Sequence, residues 1–295
     1  MADVEIYRNV MRENLNVCKT SKELFAQIKE SRKKQRLIEK ECVSLPEAKK
    51  PGVILISDKK TLDAASCYKG KKITVLNFAN AFHPGGGCIM GAKAQEEYLC
   101  RCSTLYECLI DPKMIEGFYK KHSAKAGVGK SKYGSSDIIY TPNVKVITTN
   151  DELTDFDKDK WFDINVITCA APNVSGFEYD KKKLRKIMEK RVRRIMQVAA
   201  KVDTDVLILG AFGCGVFANP PKMVASIMIN LAEEYKNHFE TIEFAVYDPG
   251  EEKPNLTAFI NAYKKIILKK GKTDGRSESK NIRRNERRRD RRSKR

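Results

Sequence analysis

The sequence predicts an α/β protein in which helices cover both faces of a central sheet, preceded by a helical extension. Short apolar, β-branched runs alternate with helical stretches from residue 53 onward, which is typical of strands buried on both faces. The first 50 residues carry helical patterning without such runs. The 295 residues are 41% hydrophobic, enough to bury a core in one large domain or two small ones.

Composition and charge exclude several classes of protein. The formal net charge is +19 with 32% charged residues, and no run of about 18 uncharged apolar residues is present, so no transmembrane helix is expected. The N-terminus lacks the pattern of a secretory signal. The nine cysteines are scattered, which favours a reducing compartment over a disulfide framework. We expect a cytoplasmic protein, or a nuclear one if the source is a eukaryote.

Residues 1–50 are predicted to form a helical extension packed on the main domain. Thr20-x-x-Glu23 has the pattern of a capping box, in which the two side chains satisfy free backbone N–H groups at a helix start. Leu24, Phe25 and Ile28 then form one apolar stripe. The highly charged stretch 29–40 is expected to continue this helix on the solvent side.

Residues 51–270 are predicted to form the main domain, in which strands and helices alternate. The predicted strands are 53–56, 73–76, 138–141, 144–148, 164–169, 206–209 and 242–246. The predicted helices are 61–68, 94–109, 181–201, one that opens at the proline pair 220–221, and 256–268. Strands 138–141 and 144–148 are expected to form a hairpin around Pro142-Asn143.

Residues 271–295 form a basic tail that we expect to be disordered. Twelve Lys or Arg residues stand against four Asp or Glu residues there, with almost no apolar side chain to bury. Such a run fits a contact with a polyanion or a targeting receptor, and equally a solvated tail with no specific partner. Both interpretations stay open.

A first unusual loop follows the predicted strand 73–76. Ligands on α/β sheets bind at the carboxyl ends of the strands, so the loops at this edge are the candidates for a site. This loop begins at Asn77 and contains Gly85-Gly86-Gly87. Consecutive glycines allow the backbone to approach a ligand closely and its N–H groups to converge on an anion. The alternative is a plain surface turn.

A second glycine loop, residues 210–220, follows the predicted strand 206–209 and contains Gly213 and Gly215. Two glycine loops on neighbouring strand ends would suit a ligand with more than one phosphate, such as a diphosphate. Phe217 in this loop would offer a flat apolar face to a sugar or base, or else belong to the core.

Gln95-Glu96-Glu97 lies just inside the start of the predicted helix 94–109. Adjacent helical residues point about 100° apart, so only one of the two carboxylates can face a cleft squarely. Cleavage of a glycosidic bond needs a carboxyl group that protonates the leaving group and stabilises an oxocarbenium-like state. A carboxyl group beside a diphosphate loop therefore suits a glycosidic bond of ADP-ribose. The alternative is that these acids only complement the helix dipole.

The pattern Gly85-Gly86-Gly87, seven residues, then Gln95-Glu96-Glu97 resembles the signature of the microbial-type poly(ADP-ribose) glycohydrolases, which are macrodomains. The resemblance extends over residues 7–263 and includes, in order, residues 61–65, 99–106, 167–173 and 210–219. It implies a three-layer α/β/α macrodomain with a mixed central sheet and an N-terminal helical extension. It also implies a hydrolase that releases ADP-ribose from poly(ADP-ribose) by cleaving the terminal ribose–ribose bond, without a metal or another cofactor.

The resemblance also implies roles for individual residues. Glu97 would be the catalytic acid/base, and Glu96 would hydrogen-bond the substrate ribose. Asn80, in an Asn-x-Ala-Asn element, would orient the distal ribose, on which Phe217 would pack, and Tyr247 would stack on adenine. The glycine loops would enclose the diphosphate. The residues predicted to bind substrate are Asn77, Asn80, Pro84, Gly85, Gly86, Gly87, Gln95, Gly213, Cys214, Gly215, Val216, Phe217 and Tyr247.

Other functions remain as alternatives. The chain could be a mono(ADP-ribosyl) hydrolase, a reader module that binds ADP-ribose without turnover, or a basic nucleic-acid-binding protein. Cys100, Cys102 and Cys108 could suggest a metal site, but we expect buried thiols, since the chain has three histidines and no CxxC. The expected partners are ADP-ribose, poly(ADP-ribose) and ADP-ribosylated proteins, and the protein is expected to be a monomer that does not bind membranes.

Overall fold

A computed structural model describes residues 2–39, 44–48, 50–125, 133–154 and 156–269 of the chain, so the predicted basic tail lies outside the described residues. Seven strands form one sheet. They are β1 (Arg36–Ile38), β2 (Val53–Ser57), β3 (Ile73–Phe78), β4 (Ile138–Val146), β5 (Phe162–Cys169), β6 (Val206–Leu209) and β7 (Thr241–Ala245). Their spatial order is β1-β4-β5-β3-β6-β7-β2. The five strands from β5 to β2 are parallel, while β4 runs antiparallel to β5 and β1. The mixed sheet agrees with the prediction.

Ten α-helices are found in the described residues. They are α1 (Ala2–Thr20), α2 (Lys22–Lys34), α3 (Thr61–Ser66), α4 (Gln95–Cys102), α5 (Leu105–Leu109), α6 (Pro112–Met114), α7 (Lys121–Lys125), α8 (Lys181–Lys201), α9 (Pro221–Tyr235) and α10 (residues 254–269). The predicted helix 94–109 is divided into α4 and α5, because Ser103 leaves the helical conformation and pairs with Val146 of β4. No described helix is both long and apolar enough to span a bilayer.

The helices cover both faces of the sheet, which gives three layers. Successive side chains of a strand point to opposite faces, so Val75 of β3 packs in one core cluster and Leu76 in the other. The cluster that contains Leu76 includes residues of α8, α9 and α10. The cluster that contains Val75 includes residues of α3, α4 and α5. The predicted α/β/α architecture is therefore confirmed.

The N-terminal helix α1 packs directly on α4. The buried side chain of Asn14 donates hydrogen bonds to the carbonyls of Arg101, at 3.0 Å, and Ser103, at 3.1 Å, at the end of α4. At the other end of α1, a Cβ atom on Gly91 would lie 2.5 Å from the carbonyl oxygen of Val4. This close approach fixes α1 against the segment that leads into α4.

Two sequence predictions in the N-terminal region are wrong. The capping box at Thr20 does not form, because α1 continues to Thr20, whose hydroxyl donates to the carbonyl of Asn16. Ser21 caps α2 instead, and its hydroxyl accepts the N–H of Leu24 at 3.3 Å. The helix predicted through residue 40 ends at Lys34, because residues 36–38 complete the sheet as β1 beside β4.

The predicted hairpin around Pro142-Asn143 is also wrong. Both halves belong to the single strand β4, and its pairing with β5 shifts register between Thr141 and Val144. Asn143 has a φ of 55°, so the two residues that resemble a turn form a β-bulge. The bulge is covered by α2, where Ser31 donates to the carbonyl of Asn143 at 2.9 Å.

Candidate active site

The carboxyl ends of the five parallel strands meet at one edge of the sheet, and a cleft of about 660 Å³ opens there. The two glycine loops follow β3 and β6, which are neighbours in the sheet, as the sequence suggests. The predicted site residues that line the cleft are Asn80, Gln95, Glu96, Glu97, Gly213, Gly215, Val216, Phe217 and Tyr247. Predicted site residues that do not line it are Asn77, Pro84, Gly85, Gly86, Gly87 and Cys214.

Gln95 fastens the start of α4 to the end of β3. Its Oε1 accepts the N–H of Phe78 at 2.9 Å, and its Nε2 donates to the carbonyl of Leu76 at 2.7 Å and to Thr61 Oγ1 at 3.1 Å. Ala94 at the N-cap position forms no side-chain hydrogen bond with the helix, so these bonds of Gln95 tie the first turn of α4 to the sheet. Because the first turn of α4 is held in this way, the next two carboxyl groups are placed at the cleft.

Glu96 is buried, with 3% of its surface exposed, and both of its oxygens have protein partners. Oε2 accepts the N–H of Asn80 at 2.6 Å, and Oε1 accepts a hydrogen bond from Asn77 Nδ2 at 3.2 Å. Burial raises the pKa of Glu96 well above its ordinary value, although these two hydrogen bonds act in the opposite direction. Glu96 thus joins α4 to the Asn77–Asn80 element.

Glu97 is held by one oxygen only. Its Oε1 accepts the N–H of Gly87 at 2.9 Å, whereas its buried Oε2 has no hydrogen-bond partner among the described residues. The side chain lines the cleft and is 8% exposed. The loop thus fixes one oxygen of the Glu97 carboxyl group, and no described residue engages the other.

Gly86 leaves the space that Glu97 occupies. A Cβ atom on Gly86 would lie 2.2 Å from Glu97 Oε1 and 3.2 Å from Glu96 Oε2. Its φ of +57° is a second reason why only glycine is easily accommodated. A Cβ atom on Gly85 would lie 2.8 Å from the ring of Tyr106, and one on Gly87 would lie 2.9 Å from Ala92 Cβ. The triple glycine therefore lets the loop lie close against α4 and α5, and its contact with a diphosphate stays a prediction.

The second glycine loop is organised by Asn219, a buried residue that the site prediction did not include. Its Nδ2 donates to the carbonyls of Pro172, at 2.7 Å, and Gly213, at 2.9 Å. A Cβ atom on Gly213 would lie 2.5 Å from Ala171 Cβ, whereas one on Gly215 would meet no atom within 4 Å. Gly213 is thus required by packing, and Gly215 leaves open space at the cleft.

The opposite end of the cleft is aromatic and basic. Tyr247 follows β7, and its ring is 54% exposed. The Nζ atom of Lys60 lies 5.7 Å from the centre of that ring and 5.2 Å from the centre of the Tyr98 ring. Lys60 also forms an ion pair of 3.1 Å with Asp151, which is 4% exposed. These cation–π contacts hold Lys60 beside the position predicted for adenine.

The N-terminal helix contributes Tyr7 to the same end of the cleft. The guanidinium of Arg101, which is fully buried, lies 4.4 Å from the centre of the Tyr7 ring and forms an ion pair of 2.7 Å with Asp151. None of the sequence motifs identifies these residues as part of the site. No single motif joins residues 7, 60 and 151, and the fold alone brings them together at the cleft.

The buried carboxyl group of Glu96 predicts a pH dependence of stability. Its pKa is raised in the folded state, so folding favours its protonated form. The stability that it contributes is fully present below its ordinary pKa of 4.5 and is lost as the pH rises through the raised pKa of the folded state. We expect Glu96→Gln to remove this loss, which amounts to at most about 1.4 kcal/mol per pH unit. Urea unfolding of both proteins between about pH 4.5 and 8 measures it, and parallel stability curves would contradict the prediction.

The cysteines that could suggest a metal are buried thiols. Cys100, Cys102 and Cys108 lie on α4 and α5 with no exposed surface. In the part of the chain that the structure describes, no three His, Cys, Asp or Glu side chains are grouped so that they could hold a metal ion.

A mixed sheet in three layers, with a cleft and two glycine loops at its carboxyl edge, defines a macrodomain-like protein. Comparisons with known proteins narrow this class. The sequence model of the microbial-type PARG catalytic domain, where PARG is poly(ADP-ribose) glycohydrolase, matches residues 8–149. The PARG of Deinococcus radiodurans in complex with ADP-ribose is 30% identical, with a TM-score of 0.68 over 81% of this chain and 98% of that chain.

A second solved structure agrees. The PARG of Thermomonospora curvata bound to the inhibitor ADP-HPD is 25% identical, with a TM-score of 0.71 over 86% of this chain and 98% of that chain. A search among curated proteins found no match. The chain belongs to the microbial-type poly(ADP-ribose) glycohydrolase family and is an enzyme of this class.

Proposed function

We propose that the protein cleaves the terminal ribose–ribose bond of poly(ADP-ribose) and releases ADP-ribose, with Glu97 as the catalytic acid/base. The observation that carries this proposal is the geometry of Glu97. The carboxyl group lines the cleft, the Gly87 N–H fixes Oε1, and Oε2 has no hydrogen-bond partner in the described parts of the chain. The buried Oε2, which no described residue engages, is the oxygen that we propose to exchange a proton with the glycosidic oxygen.

The reaction would take place in two stages. Glu97 donates its proton to the glycosidic oxygen, and the bond between this oxygen and the anomeric carbon breaks through an oxocarbenium-like state. Water then attacks the anomeric carbon and returns a proton to Glu97, which is ready for the next cycle. The shortened polymer leaves with a ribose hydroxyl, and the departing ADP-ribose carries the hydroxyl from water. Glu96, which we propose to hydrogen-bond a ribose hydroxyl, holds the Asn80 backbone at this position.

The order of the strands supports the orientation of the substrate. Along the sheet, β7, β6 and β3 are neighbours, so Tyr247, the Gly213–Phe217 loop and the two glutamates follow one another across the cleft. Adenine, diphosphate and distal ribose follow one another in ADP-ribose. We therefore propose that adenine stacks on Tyr247, that the diphosphate lies at Gly215 and Val216, and that the distal ribose lies between Phe217 and Glu97.

The predicted residues outside the cleft lining receive positioning roles in this proposal. Asn77 holds Glu96 and Gly87 holds Glu97 through hydrogen bonds, while Gly86 leaves the space that Glu97 occupies. Gln95, which does line the cleft, also has a positioning role, since its hydrogen bonds to β3 and Thr61 fix the start of α4. Pro84, Gly85 and Cys214 would shape the two glycine loops around the diphosphate.

The proposal is tested by incubating the enzyme with two substrates side by side. One is poly(ADP-ribose), and the other is a mono-ADP-ribosylated protein. We expect chromatography to detect free ADP-ribose from the polymer, accumulating with time, and little or none from the mono-ADP-ribosylated protein. Release from the modified protein alone would assign the chain as a mono(ADP-ribosyl) hydrolase. Binding of ADP-ribose without release from either substrate would assign it as a reader module.

The cysteines support the proposed location in a reducing compartment. Eight cysteines lie in the described residues, and none of these eight forms a disulfide. We propose a cytoplasmic enzyme, or a nuclear one in a eukaryote, that acts as a monomer on poly(ADP-ribose) and ADP-ribosylated proteins. A contact of the basic tail with a polyanion remains part of this proposal.

A further inference from the structure

A group of exposed basic side chains lies at the starts of α8 and α9. Lys182, Arg185 and Lys186 are exposed on one face of α8, because residues three and four apart are neighbours on a helix. Lys222 is exposed in the first turn of α9, which packs beside α8. We name these four residues the basic rim.

The basic rim lies at the same edge of the sheet as the cleft. Both helices follow the carboxyl ends of parallel strands, α8 after β5 and α9 after β6. Leu184 of α8, Met223 of α9 and Val174 of the preceding loop pack in one apolar cluster. The N–H of Val174 donates to the carbonyl of Phe217 at 3.1 Å. A continuous packed path thus joins the cleft to the rim.

The rim charges are not neutralised by neighbouring acids. Within the described residues, none of the four side chains forms an ion pair, whereas Arg193 further along α8 pairs with both Glu189 and Glu234. The nearby carboxylate of Asp180 caps α8 by accepting the backbone N–H of Lys182 at 2.7 Å. The rim therefore offers positive charge to an external partner.

Two exposed apolar side chains lie in the loops that lead into α8 and α9. Val216 in the second glycine loop is 76% exposed, and Phe177 in the loop before α8 is 55% exposed. An exposed aromatic ring beside basic side chains is a combination that binds single-stranded polyanions carrying bases, because the bases stack while the cations contact the phosphates. The surface thus combines both kinds of contact that such a polymer needs.

We propose that the basic rim, together with Phe177, binds the part of poly(ADP-ribose) that remains outside the cleft during cleavage. This inference rests on the proposed function. An enzyme that cleaves the terminal bond encloses only the last unit, and the polymer continues from the anomeric carbon beside Glu97 and Phe217. Each further unit carries a diphosphate and an adenine, which complement the cations and the exposed ring. The rim is the basic surface that the Val174–Phe217 contact joins to this end of the cleft.

The test compares two triple variants with the same loss of charge. Lys182→Gln, Arg185→Gln and Lys186→Gln remove the α8 part of the rim. Lys19→Gln, Lys22→Gln and Lys33→Gln remove three exposed lysines of α1 and α2, none of which lines the cleft. Binding of long poly(ADP-ribose) is measured by fluorescence anisotropy in the Glu97→Gln background, where no substrate is consumed. We expect the affinity to fall about tenfold at low salt in the rim variant and to stay unchanged in the control.

Kinetics of the enzymes with Glu97 intact distinguish this inference from the proposed function. We expect the rim variant to raise KM for long polymer about tenfold at low salt, with kcat unchanged, and to raise KM for a dimer of ADP-ribose less, because only one unit of the dimer lies outside the cleft. Equal affinity of both triple variants for long polymer would overturn the inference. Competition by single-stranded DNA as strong as by the polymer would also overturn it, in favour of a nucleic-acid surface. If neither substrate is hydrolysed while the rim variant still loses polymer affinity, the proposed function fails and the inference stands.

Discussion

Glu97→Gln is expected to slow the release of ADP-ribose from poly(ADP-ribose) by about a thousandfold or more, the upper part of the range for loss of a general acid. The amide has the size of the carboxyl group and still offers an oxygen to the Gly87 N–H, so the loop is expected to keep its position. It has no acidic proton to give to the glycosidic oxygen and cannot take one back from water. Turnover is therefore lost, while binding of ADP-ribose is largely kept.

Single-turnover hydrolysis and calorimetric titration with ADP-ribose measure these two effects separately. Glu116→Gln serves as the control, since this exposed carboxyl group pairs with Lys120 and does not line the cleft. The control is expected to hydrolyse the polymer at the normal rate. Undiminished turnover in Glu97→Gln would refute the catalytic role, and loss of both turnover and affinity would indicate a binding role instead.

The geometry supports the proposal that the catalytic role belongs to Glu97 and not to its neighbour. Both oxygens of Glu96 are engaged by the Asn80 N–H and the Asn77 amide, and burial favours its protonated form. Glu97 has one oxygen without a partner among the described residues. The expectation that only one of two adjacent helical acids can face the cleft squarely is consistent with this difference.

The sheet could be predicted from the sequence where apolar runs are long and bounded by turns. The strands predicted at 53–56, 73–76, 164–169, 206–209 and 242–246 all lie in the sheet. The strand predictions failed where a local sequence pattern is compatible with two different structures. Pro142-Asn143 resembles a hairpin turn but forms a bulge, and the register with β5, which no local pattern encodes, decides between them. The three-residue strand β1 is too short to produce a pattern.

The site could be predicted where its residues form compact motifs. The two glycine loops and the acid pair were identified because each is contiguous in sequence and follows a strand. Tyr7, Lys60 and Asp151 were missed because each is an ordinary residue in its own segment and reaches the cleft only through tertiary packing. The prediction for Gly86 was also incomplete. A side chain at Gly86 would collide with Glu97, and this collision depends on the contact between the first glycine loop and α4, which the sequence does not reveal.

Gly86→Ala is expected to reduce hydrolysis about a hundredfold, because the new methyl group would displace the carboxyl group of Glu97, the proposed acid/base. The Cβ atom would lie 2.2 Å from Glu97 Oε1, so the hydrogen bond to the Gly87 N–H cannot persist in its present geometry. Displacement of a reacting group by about 1 Å is enough for a loss of this size. The left-handed backbone at Gly86 adds a separate cost of about 1 kcal/mol in stability.

Gly70→Ala is the control for Gly86→Ala. It separates the strain of a left-handed backbone, which lowers stability, from the displacement of the Glu97 carboxyl group, which lowers hydrolysis. Gly70 also has a left-handed backbone, with a φ of +89°, but a Cβ atom there would meet nothing within 4 Å. Urea unfolding is expected to show a loss of about 1 kcal/mol in both variants, and single-turnover assays a loss of hydrolysis in Gly86→Ala alone. Full activity of Gly86→Ala would contradict the account of Glu97. A fall in ADP-ribose affinity as large as the fall in turnover would indicate that Gly86 contacts the diphosphate. Glycine would then be required at this position to admit the ligand and not to leave space for Glu97.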